Sequence, residues 1–142
     1  MGVSRIFWDT NLFIYLFEDY GRFSERVANI RQRMIERGDE LLTSTLTLGE
    51  VLVKPSESEN RHLKAIYEDA VTKTATLLPF SREVARLYAD IRRDRSIRAP
   101  DAIQLACAAT AGVDLFITND DRLSRKHVPD VKFIASLERA YL

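Results

Sequence analysis

The sequence predicts an α/β fold in which three layers, helix, sheet and helix, are built around a central, mainly parallel sheet. Short apolar runs alternate with longer amphipathic stretches along the chain, and this alternation is typical of a parallel sheet covered by helices on both faces. The 142 residues are 46% hydrophobic and 30% charged, which is the composition of an ordinary globular domain. The chain has no repeat, linker or low-complexity tract, so residues 1–142 are predicted to form one domain.

The first third of the chain predicts two strands, each followed by a helix. Residues 5–8 are apolar and rich in aromatic side chains, and Asp9-Thr10-Asn11 then supplies residues that start helices. Residues 23–37 carry apolar side chains at helical spacing, with Gly38 as the expected stop. Residues 41–44 form a second strand candidate. The following Thr47 and Glu50 match a capping box, which places Glu50 in the first turn of a helix.

The middle of the chain predicts a further helix, a strand and two more helices. Pro55-Ser56 is expected to break the chain, and Ser56 with Glu59 forms a capping box for a helix that reaches about residue 73. Residues 74–78 are β-branched and apolar enough for a third strand, and Ser81 is the expected cap of the next helix. After a basic connection, Pro100 is predicted at the first position of a helix that stops at Gly112.

The last part of the chain predicts two strands. Residues 115–118 are a buried-strand candidate that ends at Asn119-Asp120-Asp121. Residues 131–134 are predicted to form the last strand, before a short C-terminal helix. Strands and helices therefore alternate to the end of the chain.

Four carboxylates stand where a predicted strand ends or a predicted helix begins: Asp9, Glu50, Asp101 and Asp120. Each has an ordinary explanation, because Asp caps helices and negative charge near a helix N-terminus is stabilised by the helix dipole. The four together favour another interpretation, since the carboxyl ends of parallel strands lie along one edge of a sheet. Carboxylate oxygens are the ligands that Mg²⁺ prefers. The sequence therefore predicts an acidic metal site at this edge.

Four motifs contain these carboxylates: FWDTN at residues 7–11, TLTLGE at 45–50, APDAIQLA at 99–106 and FITND at 116–120. With these motifs in this order, the chain resembles the PIN-domain nucleases, in particular the VapC-type ribonuclease toxins of toxin–antitoxin pairs. The resemblance covers nearly the whole chain, and the third motif is its most specific part. It implies a three-layer α/β/α PIN-like fold and the cleavage of RNA.

The resemblance also implies roles for individual residues. The implied ligands of Mg²⁺ or Mn²⁺ are Asp9, Glu50, Asp101 and Asp120. Asp121 is an alternative to Asp120, whereas Asn11 and Thr118 would support the site by hydrogen bonding. A divalent ion can activate water for attack on phosphorus, so we expect phosphodiester hydrolysis without a covalent enzyme intermediate. A homodimer and an antitoxin protein are implied by the resemblance alone.

The net charge gives no general argument for binding nucleic acid, because 21 basic residues balance 21 acidic ones. Basic side chains do flank two of the acidic motifs: Arg95 and Arg98 precede Asp101, and Arg122 follows Asp120. They are either solvated ends of helices or contacts for RNA phosphates. A metal nuclease needs such cations, because its own carboxylates repel the RNA backbone.

Other kinds of site find little support in the sequence. His62 and His127 lie in polar surroundings and are expected at the surface, whereas Cys107 lies in an apolar helix and is expected in the core. A single cysteine excludes an internal disulfide and a multi-cysteine zinc site, which fits a reducing cytoplasm. No apolar run is long enough to cross a membrane and no signal peptide is recognisable, so we expect a soluble cytoplasmic protein with no membrane partner.

Two alternative functions stay open at this point. One is a PIN-like RNA-binding or scaffold module that does not cleave, against which the intact acidic quartet argues. The other is a phosphatase of the haloacid-dehalogenase type with Asp9 as nucleophile. That pattern has a second Asp two residues later, where this chain has Asn11. A cluster of aromatic residues near the first helix is predicted to be core rather than a base-stacking platform: Phe13, Tyr15, Phe17, Tyr20 and Phe23.

Overall fold

Five short strands form one sheet at the centre of the protein. The computed structural model describes residues 3–140. Within them the strands are β1 (Arg5–Trp8), β2 (Glu40–Ser44), β3 (Thr76–Leu78), β4 (Leu115–Thr118) and β5 (Phe133–Ser136). Their order is β3-β2-β1-β4-β5, and every neighbouring pair is parallel. The predicted α/β fold is confirmed.

Helices connect the strands throughout the described residues. In chain order they are α1 (Thr10–Phe17), α2 (Arg22–Arg37), α3 (Thr45–Val51), α4 (Val53–Glu57), α5 (Arg61–Thr74), α6 (Arg82–Ile91), α7 (Ala99–Ala111) and α8 (Asp121–Ser124). No helix among residues 3–140 is long and apolar enough to cross a lipid bilayer.

Two hydrophobic cores form because side chains alternate between the two faces of the sheet. On one face Phe7 and Phe116 stack with their ring centroids 5.0 Å apart, and apolar residues of α6, α7 and α8 pack against them. On the other face Trp8 and Ile117 pack against α1 and α2. The central strand β1 is thus buried on both sides, which explains its unbroken apolar sequence.

The topology brings the ends of β1 and β4 together. From β1 the chain first builds outward to β2 and β3, and it later adds β4 and β5 on the opposite side of β1. The sheet therefore changes direction between β1 and β4, and a crevice for ligands forms at the carboxyl ends of strands on such a boundary. The backbone N–H of Asp9 donates to the carbonyl of Ile117 at 3.3 Å, which joins the two strand ends.

Two predicted helix starts are wrong. Helix α3 begins at Thr45 because the hydroxyl of Ser44 accepts the backbone N–H of Thr47 at 3.2 Å and caps the helix earlier. Glu50 consequently lies in the second turn of α3. Helix α5 begins after Asn60, whose side chain accepts from the N–H of Leu63. Ser56, predicted as the cap of this helix, lies inside the short helix α4.

Most predicted helix ends agree with the structure. Ser81 caps α6, and Gly38 and Gly112 end α2 and α7 with left-handed φ values of 76° and 65°. Helix α7 starts one residue before Pro100, with Arg98 at its cap position. The last strand lies two residues later than predicted, and up to residue 140, where the described part of the chain ends, the expected C-terminal helix is only a turn at residues 137–139.

Candidate acidic metal site

Asp9 lies directly after β1 and occupies the cap position of α1, but its side chain makes no well-formed cap hydrogen bond. Its Oδ1 atom is buried and has no hydrogen-bond partner. A buried polar atom without a hydrogen-bond partner costs free energy, and one explanation for such an atom is that it binds an ion or ligand. The free Oδ1 of Asp9 is therefore suited to bind a ligand.

The surroundings of Asp9 oppose its negative charge. Burial raises the pKa of the Asp9 carboxyl from 3.8 to about 7, and the nearby charges of Asp101 and Glu50 act in the same direction. Hydrogen bonds from the Thr118 side chain and the Asn11 backbone lower the pKa and offset part of this effect. A cation bound to Asp9 would relieve both the burial of the charge and the repulsion.

Three of the predicted carboxylates line one cavity of about 360 Å³, although they come from separate parts of the chain: Asp9, Glu50 and Asp101. Glu50 extends from α3, and its Oε1 accepts a hydrogen bond from the hydroxyl of Thr10. Asp101 lies in the first turn of α7, with its Oδ2 3.4 Å from the Nε of Arg98. Asn11 is exposed and also lines this cavity.

Asp120 lines an adjoining cavity of about 310 Å³. Asp101 and Arg98 line both cavities and so separate the two. The Oδ1 of Asp120 accepts from the N–H of Arg122 at 2.9 Å, so the ordinary capping role is present here for α8. Asp121 is exposed in the first turn of α8 and lines neither cavity.

The donor atoms fit a hard divalent cation, but they do not enclose one. Among residues 3–140, no group of three or more Asp, Glu, His or Cys side chains has the geometry to hold a metal ion. Mg²⁺ usually keeps several water molecules and takes only one or two protein carboxylates. The unpartnered oxygen of Asp9 and the repulsion among Asp9, Glu50 and Asp101 suit such partial coordination.

A buried polar network behind Glu50 was missed by the sequence interpretation. The amide of Gln104, on α7, accepts from the hydroxyl of Ser44 at 2.5 Å and donates to the hydroxyl of Thr47 at 2.8 Å. It also donates to the hydroxyl of Thr10 at 3.2 Å. The sequence did contain a signal, because Gln104 is the one polar residue between positions 102 and 109 of an otherwise apolar helix.

Hydrogen bonds also hold the segment that follows β4. Thr118 is buried, and its hydroxyl accepts from the backbone N–H of Asp120 at 3.1 Å. Asn119 donates from its Nδ2 to the hydroxyl of Tyr15 at 2.7 Å. This segment therefore connects Asp9, through Thr118, with Asp120.

The aromatic cluster near α1 is core only in part. Phe13 is fully buried, as predicted, whereas 46% of Tyr20 and 37% of Phe23 are exposed. Tyr15 stacks on Phe23 with the ring centroids 5.2 Å apart. The prediction of core is thus confirmed for Phe13 and wrong for Tyr20 and Phe23.

The predicted basic residues lie in two environments. Arg98 and Arg122 line the cavity of Asp120, and their side chains are 71% and 81% exposed. Lys126 also lines it, with Nζ 2.6 Å from the hydroxyl of Ser96 and 3.1 Å from Asp94. Arg95 is exposed but lines neither cavity.

A comparison with protein families identifies the fold. The family model described as "PIN domain" matches residues 6–128. The chain belongs to the PIN domain family. No curated protein sequence is significantly similar to this PIN domain. The family membership leaves the haloacid-dehalogenase alternative without support.

Solved structures resemble this PIN domain over nearly its whole length. VapBC2 from Rickettsia felis, bound to a promoter DNA fragment, matches with a TM-score of 0.74 and 15% identity over 93% of this chain and 98% of that chain. VapBC from Salmonella typhimurium, bound to DNA, matches with a TM-score of 0.68 and 17% identity, over 95% of this chain and 99% of that chain. A toxin–antitoxin complex from Klebsiella pneumoniae matches with a TM-score of 0.65 and 23% identity, over 89% of this chain and 94% of that chain. At these identities the likeness shows the fold.

Elsewhere in residues 3–140 of the PIN domain, the other candidate features do not form an acidic site of this kind. His62 and His127 are exposed, as predicted. Cys107 is buried, and burial raises the pKa of its thiol to about 11, so it is a core residue rather than a nucleophile. Two cavities of about 460 and 430 Å³ lie along α2 and are lined by none of the four predicted carboxylates.

Proposed function

We propose that this PIN domain is an endoribonuclease that depends on Mg²⁺ or Mn²⁺ and is the toxin of a toxin–antitoxin pair. The observation that carries the proposal is the cavity lined by Asp9, Glu50 and Asp101, in which the buried Oδ1 of Asp9 has no partner. Its place beside the β1 and β4 strand ends supports the same conclusion.

In this proposal the carboxylates hold the ion and other residues orient them. Asp9, Glu50 and Asp101 would act on the ion from one cavity and Asp120 from the adjoining one, some of them directly and the others through its bound water molecules. Thr118 hydrogen-bonds Asp9, and Asn11 lies at the rim. When bound, the divalent ion supplies charge neutralisation and activates water for attack on phosphorus. The hydrolysis needs no covalent bond to the enzyme.

The RNA backbone would be bound by cations beside the acidic cavity. Arg98 and Arg122 are exposed and lie next to Asp101 and Asp120, so they can meet a phosphate at the edge of the site. Arg95 is a third proposed contact on the loop before α7. Electrostatic attraction of this kind gives affinity without reading the base sequence.

The proposed biological setting is a cytoplasmic homodimer that an antitoxin protein binds. One solved structure that resembles this PIN domain is described as a toxin–antitoxin complex, and two others are VapBC structures with bound DNA. Their identity to this chain is at most 23%, so both partners are part of the proposal. Co-purification with the product of a neighbouring small gene would test the antitoxin.

A panel of RNAs incubated with Mg²⁺, with Mn²⁺ and with a chelator tests the chemistry. We expect cleavage with either ion, none with the chelator, and none by Asp9→Asn, which preserves the size of the side chain but removes its charge. Asp120→Asn and Asp121→Asn form a matched pair, and only the first should lose activity. Uncleaved RNA that is nevertheless bound would favour the non-cleaving module.

Thermal unfolding tests the metal site without using RNA. A divalent cation should raise the melting temperature of the wild type, because it binds the folded state alone. Asp9→Asn should show no such rise. Equal rises in both proteins would mean that the ion binds somewhere else.

A further inference from the structure

We propose that Gln104 is a positioning residue, which orients Glu50 toward the acidic cavity through the hydroxyl of Thr10. The proposal rests on the proposed metal site but not on the identity of the substrate. It assigns a role to a side chain that lines the same cavity as three of the carboxylates. Gln104, Thr10 and Glu50 extend from three different helices, α7, α1 and α3.

The contacts form one continuous chain. The hydroxyl of Ser44 donates to Oε1 of Gln104 at 2.5 Å. The Nε2 of Gln104 donates to the hydroxyl oxygens of Thr47 at 2.8 Å and of Thr10 at 3.2 Å. The hydroxyl of Thr10 then donates to Oε1 of Glu50. Gln104 thus stands one hydroxyl group away from a predicted metal ligand.

Donor and acceptor roles in this chain determine the orientation of the amide. A carboxylate only accepts, so Thr10 must give its single hydroxyl proton to Glu50. The oxygen of Thr10 is then free to accept, and its neighbour on α7 must be a donor. The NH₂ group of Gln104 fills this requirement, while its carbonyl accepts from Ser44. An apolar residue at position 104 would leave Thr10 and Ser44 without these bonds.

Burial makes the network rigid. Gln104 is 3% exposed, Ser44 is 1% exposed and Thr47 is fully buried, so water does not readily replace a missing partner. The hydroxyl of Ser44 also caps α3, the helix that carries Glu50. The network therefore holds both the backbone and the side chain of Glu50. Groups that orient metal ligands in this way influence metal affinity strongly.

Titration with Mn²⁺, followed by its electron paramagnetic resonance signal, tests this role in the full chain. Gln104→Met keeps the length of the side chain but removes the amide, and we expect it to weaken Mn²⁺ binding by about tenfold. Thr10→Val is nearly isosteric and breaks the last link to Glu50, so it should cause a similar loss. The double variant should lose little more than either single variant, because both changes interrupt the same chain.

Leu105→Ala is the matched control. Leu105 is fully buried in the same helix, so its truncation should lower the melting temperature while Mn²⁺ affinity stays unchanged. If Gln104→Met and Thr10→Val both bind Mn²⁺ like the wild type, the positioning role is overturned. Additive losses in the double variant would also overturn it, since Gln104 would then act independently of Thr10.

The outcomes separate this inference from the proposed function. A wild type that binds no Mn²⁺ would overturn both. Mn²⁺ binding that depends on Gln104, in a protein that cleaves no RNA, would uphold the positioning role and contradict the nuclease. RNA cleavage with unchanged Mn²⁺ affinity in both variants would uphold the nuclease and overturn the positioning role. If Gln104→Met does not fold, Thr10→Val alone decides the matter by its Mn²⁺ affinity.

Discussion

Asp9 combines a buried position with two acidic neighbours. The pKa of its carboxyl is raised to about 7, chiefly by burial and also by the charges of Asp101 and Glu50. Near neutral pH a proton and the proposed metal ion would therefore compete for the same oxygen atoms. The stability of the metal-free protein should report the protonation of Asp9 directly.

Asp9 should make the metal-free protein less stable as the pH rises from about 4 to about 7. Its pKa is higher in the folded protein than the ordinary value of 3.8, so in this range the folded state binds more protons than the unfolded state. The free energy of unfolding must then fall with rising pH. A shift of this size corresponds to at most about 4 kcal/mol. Urea unfolding between pH 4 and pH 8 in the presence of chelator measures the slope.

Asp9→Asn is the control for this slope. The amide does not titrate, whereas Asp94 and Asp114, whose pKa values are lowered by hydrogen bonds and ion pairs, are the same in both proteins. The difference between the two stability curves thus belongs to Asp9. Parallel curves for the two proteins would show that Asp9 ionises in the folded state at its ordinary pH.

At the scale of secondary structure, the positions of the site residues depend on the helices α3 and α7 that carry them. Helix α7 carries Asp101 in its first turn and Gln104 one turn later, and it ends at Gly112 with φ 65°. Helix α3 carries Glu50 and contains Gly49 in its interior. The two glycines therefore differ in conformation, although an added Cβ would meet no atom within 4 Å at either position.

Substitution of these glycines by alanine should change stability in opposite directions. Gly112→Ala places a side chain in the left-handed region and should reduce the free energy of unfolding by about 1 kcal/mol. Gly49→Ala lies in an ordinary helical conformation and should raise it by roughly 0.5–1 kcal/mol. Urea midpoints of the two variants measure both effects. Two changes of the same sign would contradict the helix ends described above.

At the scale of the whole molecule, acidic and basic side chains concentrate at different places on the surface, although the net charge is zero. Carboxylates line one cavity, and the adjoining one adds the cations Arg122, Arg125 and Lys126. Arg98 lies at the junction of the two. An RNA chain bound at the acidic cavity would lie next to this cationic surface, which would attract its phosphates.

Removal of one of these charges should weaken RNA binding and its dependence on salt. For Arg98→Gln and Arg122→Gln we expect the slope of log K against log salt to decrease by about 0.7 for each lost phosphate contact. Arg95→Gln should have a smaller effect, because Arg95 lines neither cavity. Binding to labelled RNA at several salt concentrations, with an inactive Asp9→Asn background, measures the slopes. Wild-type affinity of Arg98→Gln at every salt concentration would refute its role.

Local patterns in the sequence predicted the elements well where one signal dominated. The apolar runs of β1 and β4, the serine cap of α6 and the glycine ends of α2 and α7 all appear in the structure. The starts of α3 and α5 were wrong because two capping residues compete within a few positions. Which of them caps the helix depends on where the preceding strand or turn ends.

The sequence by itself predicted the fold class, the order of the strands and most of the helices, and four carboxylates as a candidate site, because these follow from periodicity and from motifs within short segments. The tertiary structure decided which of them meet: Asp9, Glu50 and Asp101 line one cavity, whereas Asp120 lines the next and caps α8. It also decided that Gln104 contacts Thr10 rather than solvent. Contacts between residues 94 positions apart depend on how the sheet and helices pack, and no local pattern contains that information.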